Sequence, residues 1–190
     1  MGRREDLADA GVRLTARGGA RALTHRAVDA EAGLPPGSTT YYARTRRELT
    51  ALVVDRITAQ LADDLSGLRL PEHLDDAAVV GVAIGFLDGL ATRRDAQAAR
   101  FALLLELRDD PDLRAPLTGA APVRVGLVDT ARVLLEAVGA EDPEGTAVDL
   151  VGVVDALLLY RVAEAGPLDP AAVLTAYLAG VPRRVPRSTE

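Results

Sequence analysis

The sequence has no cysteine, no lysine and no tryptophan, and it has only two histidines and one methionine. Without cysteine it can form no disulfide framework, no thiolate zinc site and no cysteine nucleophile, and it fits a reducing cytoplasm. The two histidines, His25 and His73, lie far apart, with no HExxH, GxSxG, P-loop or Rossmann fingerprint to pair with. Catalysis therefore has no positive support, and no metal or cofactor is expected. The acid pairs Asp63-Asp64, Asp75-Asp76 and Asp109-Asp110 sit at expected helix ends, where capping and solvation account for them. Long apolar runs are missing too. The longest without a charge, Ala77 to Leu87, is about half of the ~20 residues that span a bilayer. The opening MGRREDLADAG lacks the apolar stretch of a secretory signal. A soluble cytoplasmic protein with no membrane partner is expected.

What is present is helix-forming and unevenly charged. At 190 residues and 48% hydrophobic, the chain can hold a small domain plus a larger one, or one large domain, and wholesale disorder is excluded. Helical periodicity is nearly continuous and strand signals are scarce, which predicts an all-α fold. The formal net charge is −6, yet residues 1–47 carry nine arginines against five acids, while the remainder carries thirteen against twenty-three. A local basic surplus in an acidic chain is the electrostatic footprint of a nucleic-acid-binding segment. Arg3 and Arg4 fit either added phosphate contacts or a frayed, solvated end.

The surplus coincides with residues 23–49, LTHRAVDAEAGLPPGSTTYYARTRREL, which read as two short helices around a tight turn. Thr24 is an N-cap candidate with Leu23 packing down before it. Ala27, Val28 and Ala32 then give a short half-buried face. Gly33 can take positive φ just past the last turn, and Leu34 can fill the space between the helices. Pro35 and Pro36 suit a first helical turn, so a second helix is expected from about Pro36. Its residues, Gly37 to Tyr42, are poor helix formers, with glycine costing up to about 1 kcal/mol against alanine. Folding alone would not choose them. They do offer a small surface for backbone approach to bases, hydroxyls for phosphates, and then Arg44, Arg46 and Arg47.

This stretch resembles the TetR family of bacterial transcriptional regulators over roughly residues 4–60. The resemblance is carried by Gly18 or Gly19, Leu23-Thr24-His25-Arg26, Val28, Glu31-Ala32-Gly33-Leu34, Gly37-Ser38, Tyr41 and Glu48-Leu49. Pro35 stands where the family usually has a serine-type cap. Ala43 stands where it usually has a bulky aromatic, so Tyr41 or Tyr42 is expected to compensate in packing. The resemblance implies a three-helix DNA-binding domain at 1–47; periodicity puts Leu7, Ala10 or Gly11, and Leu14 on the inner stripe of a first helix that would brace the helix-turn-helix. Leu49, Leu52, Val53, Ile57, Ala59, Leu61 and Leu65 give a long amphipathic helix at about 46–65, which in the resembling family connects that domain to the rest, here a ligand-sensing and dimerisation bundle at 66–181; 182–190 is expected to be a disordered tail. On double-stranded operator DNA, Arg26 would reach a guanine edge and Pro36, Gly37 and Ser38 would sit against bases. Thr24, His25, Thr40, Tyr41, Tyr42 and Arg46 would hold phosphates; His25 also has a plain surface reading.

Beyond residue 66, helices are expected at about 73–93, 95–108, 112–138, 144–165 and 169–180, with Pro116 and Pro122 breaking or delaying the third. Gly81, Gly85 and Gly89 share one helix face, which fits either close helix–helix approach or room for a ligand beside Phe86 and Leu90. Phe101, Leu104, Leu105 and Leu127 could line an apolar pocket or be ordinary core. Asp88, Arg100, Glu106, Thr130, Asp155 and Arg161 are candidates to orient a small apolar or amphipathic effector if they point inward, and solvated or interface residues otherwise. Residues 147–163, AVDLVGVVDALLLYRVA, are apolar over more than one face and need a second surface to cover them. In the resembling family that surface is a second copy, so a homodimer is expected through Leu150, Val154, Leu157, Leu158, Leu174 and Tyr177. A central place in a monomeric bundle is the alternative. The resulting expectation is a ligand-responsive regulator, a repressor released from a palindromic operator by a small molecule. Its rivals are a helical protein-binding module that keeps the helix-turn-helix as scaffold, and an enzyme on a helical bundle.

Overall fold

The computed structural model describes residues 2–184. Among the described residues the chain forms ten α-helices: α1 Arg3–Ala22, α2 His25–Glu31, α3 Ser38–Tyr42, α4 Arg46–Ser66, α5 Asp76–Thr92, α6 Arg94–Glu106, α7 Pro111–Arg114, α8 Pro122–Ala137, α9 Pro143–Val162 and α10 Pro170–Ala179. The fold is all-α. A 3-10 turn at Ala115–Leu117 follows α7, and one isolated bridge joins Ala140 to Arg183.

Most helix starts have a side-chain acceptor for their free N–H groups, as the termini of isolated helices require. Thr24 caps α2 through Ala27 N–H, and Thr45 with Glu48 forms a reciprocal capping box on α4. Asp75, Asp110, Asp142 and Asp169 cap α5, α7, α9 and α10. Two of the acid pairs seen in the sequence are thus explained.

Two apolar cores organise the chain. One gathers Leu7, Leu23, Val28, Leu49 and Val53 of the N-terminal helices around Ala96, Ala99 and Leu103 of α6. The other lies among α5, α8, α9 and α10, with Leu87, Leu135, Leu158 and Leu174 fully buried. α6 therefore packs along α1 as well as α9. The junction is also polar: Glu106 accepts from Ala20 N–H at 2.7 Å, where α1 kinks at Gly18 and Gly19. Arg47 donates to Asp110 at 3.1 and 3.0 Å and to Asp112 at 3.2 Å.

Several expectations are corrected. α3 begins at Ser38, not Pro36, because Gly37 takes φ 94° and the two prolines lie in the turn before it. Tyr41 and Tyr42 do not fill in for the alanine at 43: both are exposed, packed edge to face on each other, and Ala43 itself is buried. The segment 112–138 is divided into α7, the 3-10 turn and α8, with Pro122 at the first turn of α8. Residues 182–184, expected in the tail, are tied down: Pro182 C=O accepts from Glu141 N–H and Arg183 pairs with Asp76. The rest of that expectation, 185–190, lies outside the described residues. Gly81, Gly85 and Gly89 mark neither a tight helix crossing nor ligand space, since they face outward and a Cβ on each would meet nothing within 4 Å.

Candidate nucleic-acid interface and ligand cavity

The turn between α2 and α3 is built by a buried carboxylate. Asp29 accepts from Gly37 N–H and Thr39 N–H, each at 2.7 Å, and from the Thr39 hydroxyl. Its side chain does for α3 what a local N-cap does for a longer helix, from eight to ten residues upstream. Burial pushes the Asp29 carboxyl up, but the Thr39 hydroxyl and the two N–H groups outweigh it and hold the group below its ordinary value. Gly33 closes α2 at φ 67° as its position suggests, and Leu34 N–H bonds Asp29 C=O. This Asp29 clamp was missed in the sequence, where the residue looks like any polar position on a helix.

With the backbone of α3 fixed from behind, its side chains turn outward. Thr40, Tyr41 and Tyr42 are exposed, Tyr41 at 83%, as are Pro36 and Gly37. Ser38 is half-buried and donates to Pro35 C=O at 2.7 Å. Thr24 is exposed but already serves as a cap. His25 is half-buried and its Nε2 lies 2.8 Å from Ala43 C=O, so one ring nitrogen is spent tying the start of α2 to the end of α3. Arg46 donates to Ala20 C=O at 2.8 Å. Among the described residues Arg21, Arg26, Arg44 and Arg46 have no carboxylate partner, whereas Arg13 and Arg17 hold Glu31, and Arg47 is taken by Asp110 and Asp112. Free positive charge is therefore present around α2 and α3, where Arg21 and Arg44 join the expected Arg26 and Arg46.

The second site is a cavity of about 40 Å³ between α5, α8 and α9. It is lined by Val82, Ala83, Phe86 and Leu90, by Leu127, Thr130, Ala131 and Leu134, by Leu150, Val151, Val154 and Asp155, and by Leu68 just after the α4 cap. Five of the expected residues meet there: Phe86, Leu90, Leu127, Thr130 and Asp155. Three do not. Phe101 packs on the outside of that core under the Arg100 guanidinium, Leu104 packs against the N-terminal core, and Leu105 is 69% exposed. The reason is that α6 turns Ala96, Ala99 and Leu103 toward α1.

The helix faces expected in a dimer are also reassigned. Leu150 and Val154 are cavity wall, and Leu157, Leu158 and Leu174 are buried inside the subunit. Tyr177 is half-buried and donates its hydroxyl to Thr146 C=O at 2.9 Å. The apolar residues left uncovered on α9 are Val148, Gly152, Ala156, Leu159 and Tyr160.

At the polar end of the cavity, Asp155 is gripped from two sides. Arg100 donates to it at 2.9 and 3.5 Å, and Arg124 donates to both of its oxygens. Arg100 also donates to Gln97 Oε1 at 3.1 Å and stacks on the Phe101 ring at 4.2 Å. Burial pushes the Arg100 guanidinium below its ordinary value, with Asp155 opposing. The Thr130 hydroxyl is satisfied by Gly126 C=O at 2.9 Å. Among the described residues no cluster of three or more His, Asp or Glu could hold a metal.

An exposed short helix flanked by arginines, together with an apolar cavity in an all-helical chain, invites comparison with known proteins. A family model described as Tetracyclin repressor-like, C-terminal domain, matches residues 74–184. The chain belongs to the TetR family. TetR-family proteins are DNA-binding transcriptional regulators and not enzymes. Among solved structures, a TetR-family member from Streptomyces coelicolor is 26% identical, with TM-score 0.68 over 96% of this chain and 99% of that one. The multidrug binding protein EbrR, solved with imidazole, is 28% identical, with TM-score 0.64 over 99% of both chains. EbrR has also been solved with proflavin, malachite green and ethidium. A transcriptional regulator from a Rhodococcus species, 19% identical with TM-score 0.77 over 95% of this chain and 96% of that one, shares the fold. No curated protein sequence matches the chain. Among the described residues of this TetR-family chain, no helix is long and apolar enough to cross a membrane.

Proposed function

We propose that this TetR-family regulator is a repressor that binds a palindromic operator as a homodimer in the cytoplasm and is released by a small apolar or amphipathic effector. The observation that carries the reading is the span of α4. It begins at Arg46 beside the outward face of α3 and ends at Ser66, from which Leu68 enters the cavity wall. An occupant that pushes Leu68 outward acts on the same rigid rod that positions the DNA-reading helices. The cavity of about 40 Å³ is far below the ~300–1,000 Å³ of ordinary ligand sites, so an effector has to open it. That opening is the differential interaction a ligand needs in order to shift one state against another. The EbrR complexes support the idea that a cavity in this fold accepts small organic molecules.

The division of the chain follows from the same reading: 1–47 reads DNA, 46–65 connects, and 66–181 senses ligand and dimerises, with α6 serving both sides. Arg26 reads a base edge, and Pro36, Gly37 and Ser38 approach bases. Thr40, Tyr41, Tyr42 and Arg46 hold phosphates, joined by Thr24 and His25 through their remaining polar atoms. The dimer forms across the uncovered face of α9, with Ala172, Ala176 and Ala179 of α10 beside it, all of them exposed within one subunit. Two recognition helices about 34–36 Å apart then enter successive major grooves.

The deciding measurement is a fluorescence-anisotropy titration of the full chain against the intergenic DNA beside its own gene, with scrambled competitor, at two salt concentrations. Tight, sequence-selective binding that weakens steeply with salt is the expected result. Binding that discriminates neither sequence nor salt would remove the operator reading and leave a scaffold that docks another protein.

A further inference from the structure

Behind Asp155, the one charged residue of the cavity wall, lies a charge imbalance. Two guanidiniums, Arg100 at 5% and Arg124 at 11% side-chain exposure, face one carboxylate, Asp155. The other polar partners are neutral: Gln97 for Arg100 and, nearby in the wall, the Thr130 hydroxyl. Among the described residues no second carboxylate pairs with either arginine. Buried charges are ordinarily paired, because desolvating an unpaired one is costly. Structural pairing alone would need one arginine here. Arg124 spends two of its nitrogens on Asp155 and, among the described residues, bonds no other acceptor, so N–H groups of its five-donor fork remain for a partner.

We infer that the effector is an apolar monoanion, a carboxylate on a hydrocarbon body, whose head settles between Thr130 and the Arg124 edge of the Asp155 clamp while its body parts Phe86, Leu127 and Leu134. The inference rests on the cavity being the effector site. It adds the sign of the ligand's charge. An anion brings two guanidiniums and two carboxylates into balance, and charge-assisted bonds to guanidinium are the strong ones. A cation would add to the surplus, and a neutral alcohol would gain the apolar contacts alone. Thr130 can turn its hydroxyl from the Gly126 carbonyl to the incoming oxygen.

The test is calorimetric titration of the full chain at neutral pH with three probes of equal chain length: octanoate, 1-octanol and octylammonium. The expected order is octanoate, then octanol, then octylammonium, with about tenfold between octanoate and octanol. Arg124→Met leaves one guanidinium against one carboxylate. It is expected to erase the octanoate advantage while octanol still binds, and octanol binding shows that the variant's cavity is intact. Octanol or octylammonium binding as tightly as octanoate overturns the charge inference and leaves the cavity as an effector site. Failure of all three to bind overturns both. The order among probes on the unaltered protein decides the matter if the variant does not fold.

Discussion

α3 and α9 show two ways of holding a helix. α9 runs twenty residues and is fastened by apolar burial of Ala147, Leu150, Val151, Val154, Leu157, Leu158 and Val162. α3 runs five, buries only Thr39, and is fastened by hydrogen bonds that Asp29 accepts and by the His25 contact to Ala43 C=O. Burial uses up side chains, whereas clamping a backbone leaves them free. The difference therefore separates two tasks. Most side chains of α3 are left exposed, and those of α9 are divided between a cavity within and an apolar face without.

The comparison can be broken at either helix. The largest effect is expected on the outer face of α9. Gly152 is exposed and a Cβ there would meet nothing within 4 Å, so Gly152→Arg fits the isolated subunit but not a subunit packed against its copy. It is expected to give a folded monomer by light scattering and to lower operator affinity by about a hundredfold or more, because two linked half-sites bind far better than one. A variant that stays dimeric would move the interface elsewhere.

Next comes the clamp. Asp29→Ala leaves the Gly37 and Thr39 N–H groups without their acceptor, at an expected cost of about 1–3 kcal/mol in urea unfolding. The carboxyl is held below its ordinary value in the native state. The native chain thus binds this proton less readily than the unfolded one, and the contribution is complete above the ordinary carboxylate range. It is lost as pH falls through the lowered native value, so the unfolding curves of the two proteins are expected to converge in acid. A gap that persists there would mean that Asp29 acts by packing.

The smallest effect is a change in selectivity. Arg26→Ala removes an exposed guanidinium without a carboxylate partner among the described residues, so stability is expected to hold. Discrimination at one operator base pair is expected to fall by about 1–3 kcal/mol, read by competition among single-base operator variants. Equal weakening on every sequence would make Arg26 a phosphate contact.

Local signals were readable wherever the partner of a residue is its near neighbour. Thr24 caps α2 and Gly33 ends it with positive φ, because each depends on bonds within a few residues. The start of α3 was misread because its cap comes from Asp29 on another helix and not from the prolines beside it. Apolar content showed that α9 is apolar on more than one side but not which side meets its own subunit. Leu150 and Val154 thus went to the dimer when they belong to the cavity. Leu104 and Leu105 were placed at the cavity for a related reason. The pattern of α6 does not reveal that its buried face is shared with α1, a pairing that only the assembled chain defines.

The three outward glycines of α5 bear on how the cavity can open. Each lowers helix stability by up to about 1 kcal/mol against alanine and gains nothing from packing in return. The same helix supplies Val82, Ala83, Phe86 and Leu90 to the inner wall. The wall is therefore softest on one side, and its amide protons are expected to exchange with deuterium sooner than those of α9 across the cavity. An effector that locks α5 in place would slow that exchange, giving a clock for occupancy that needs no DNA.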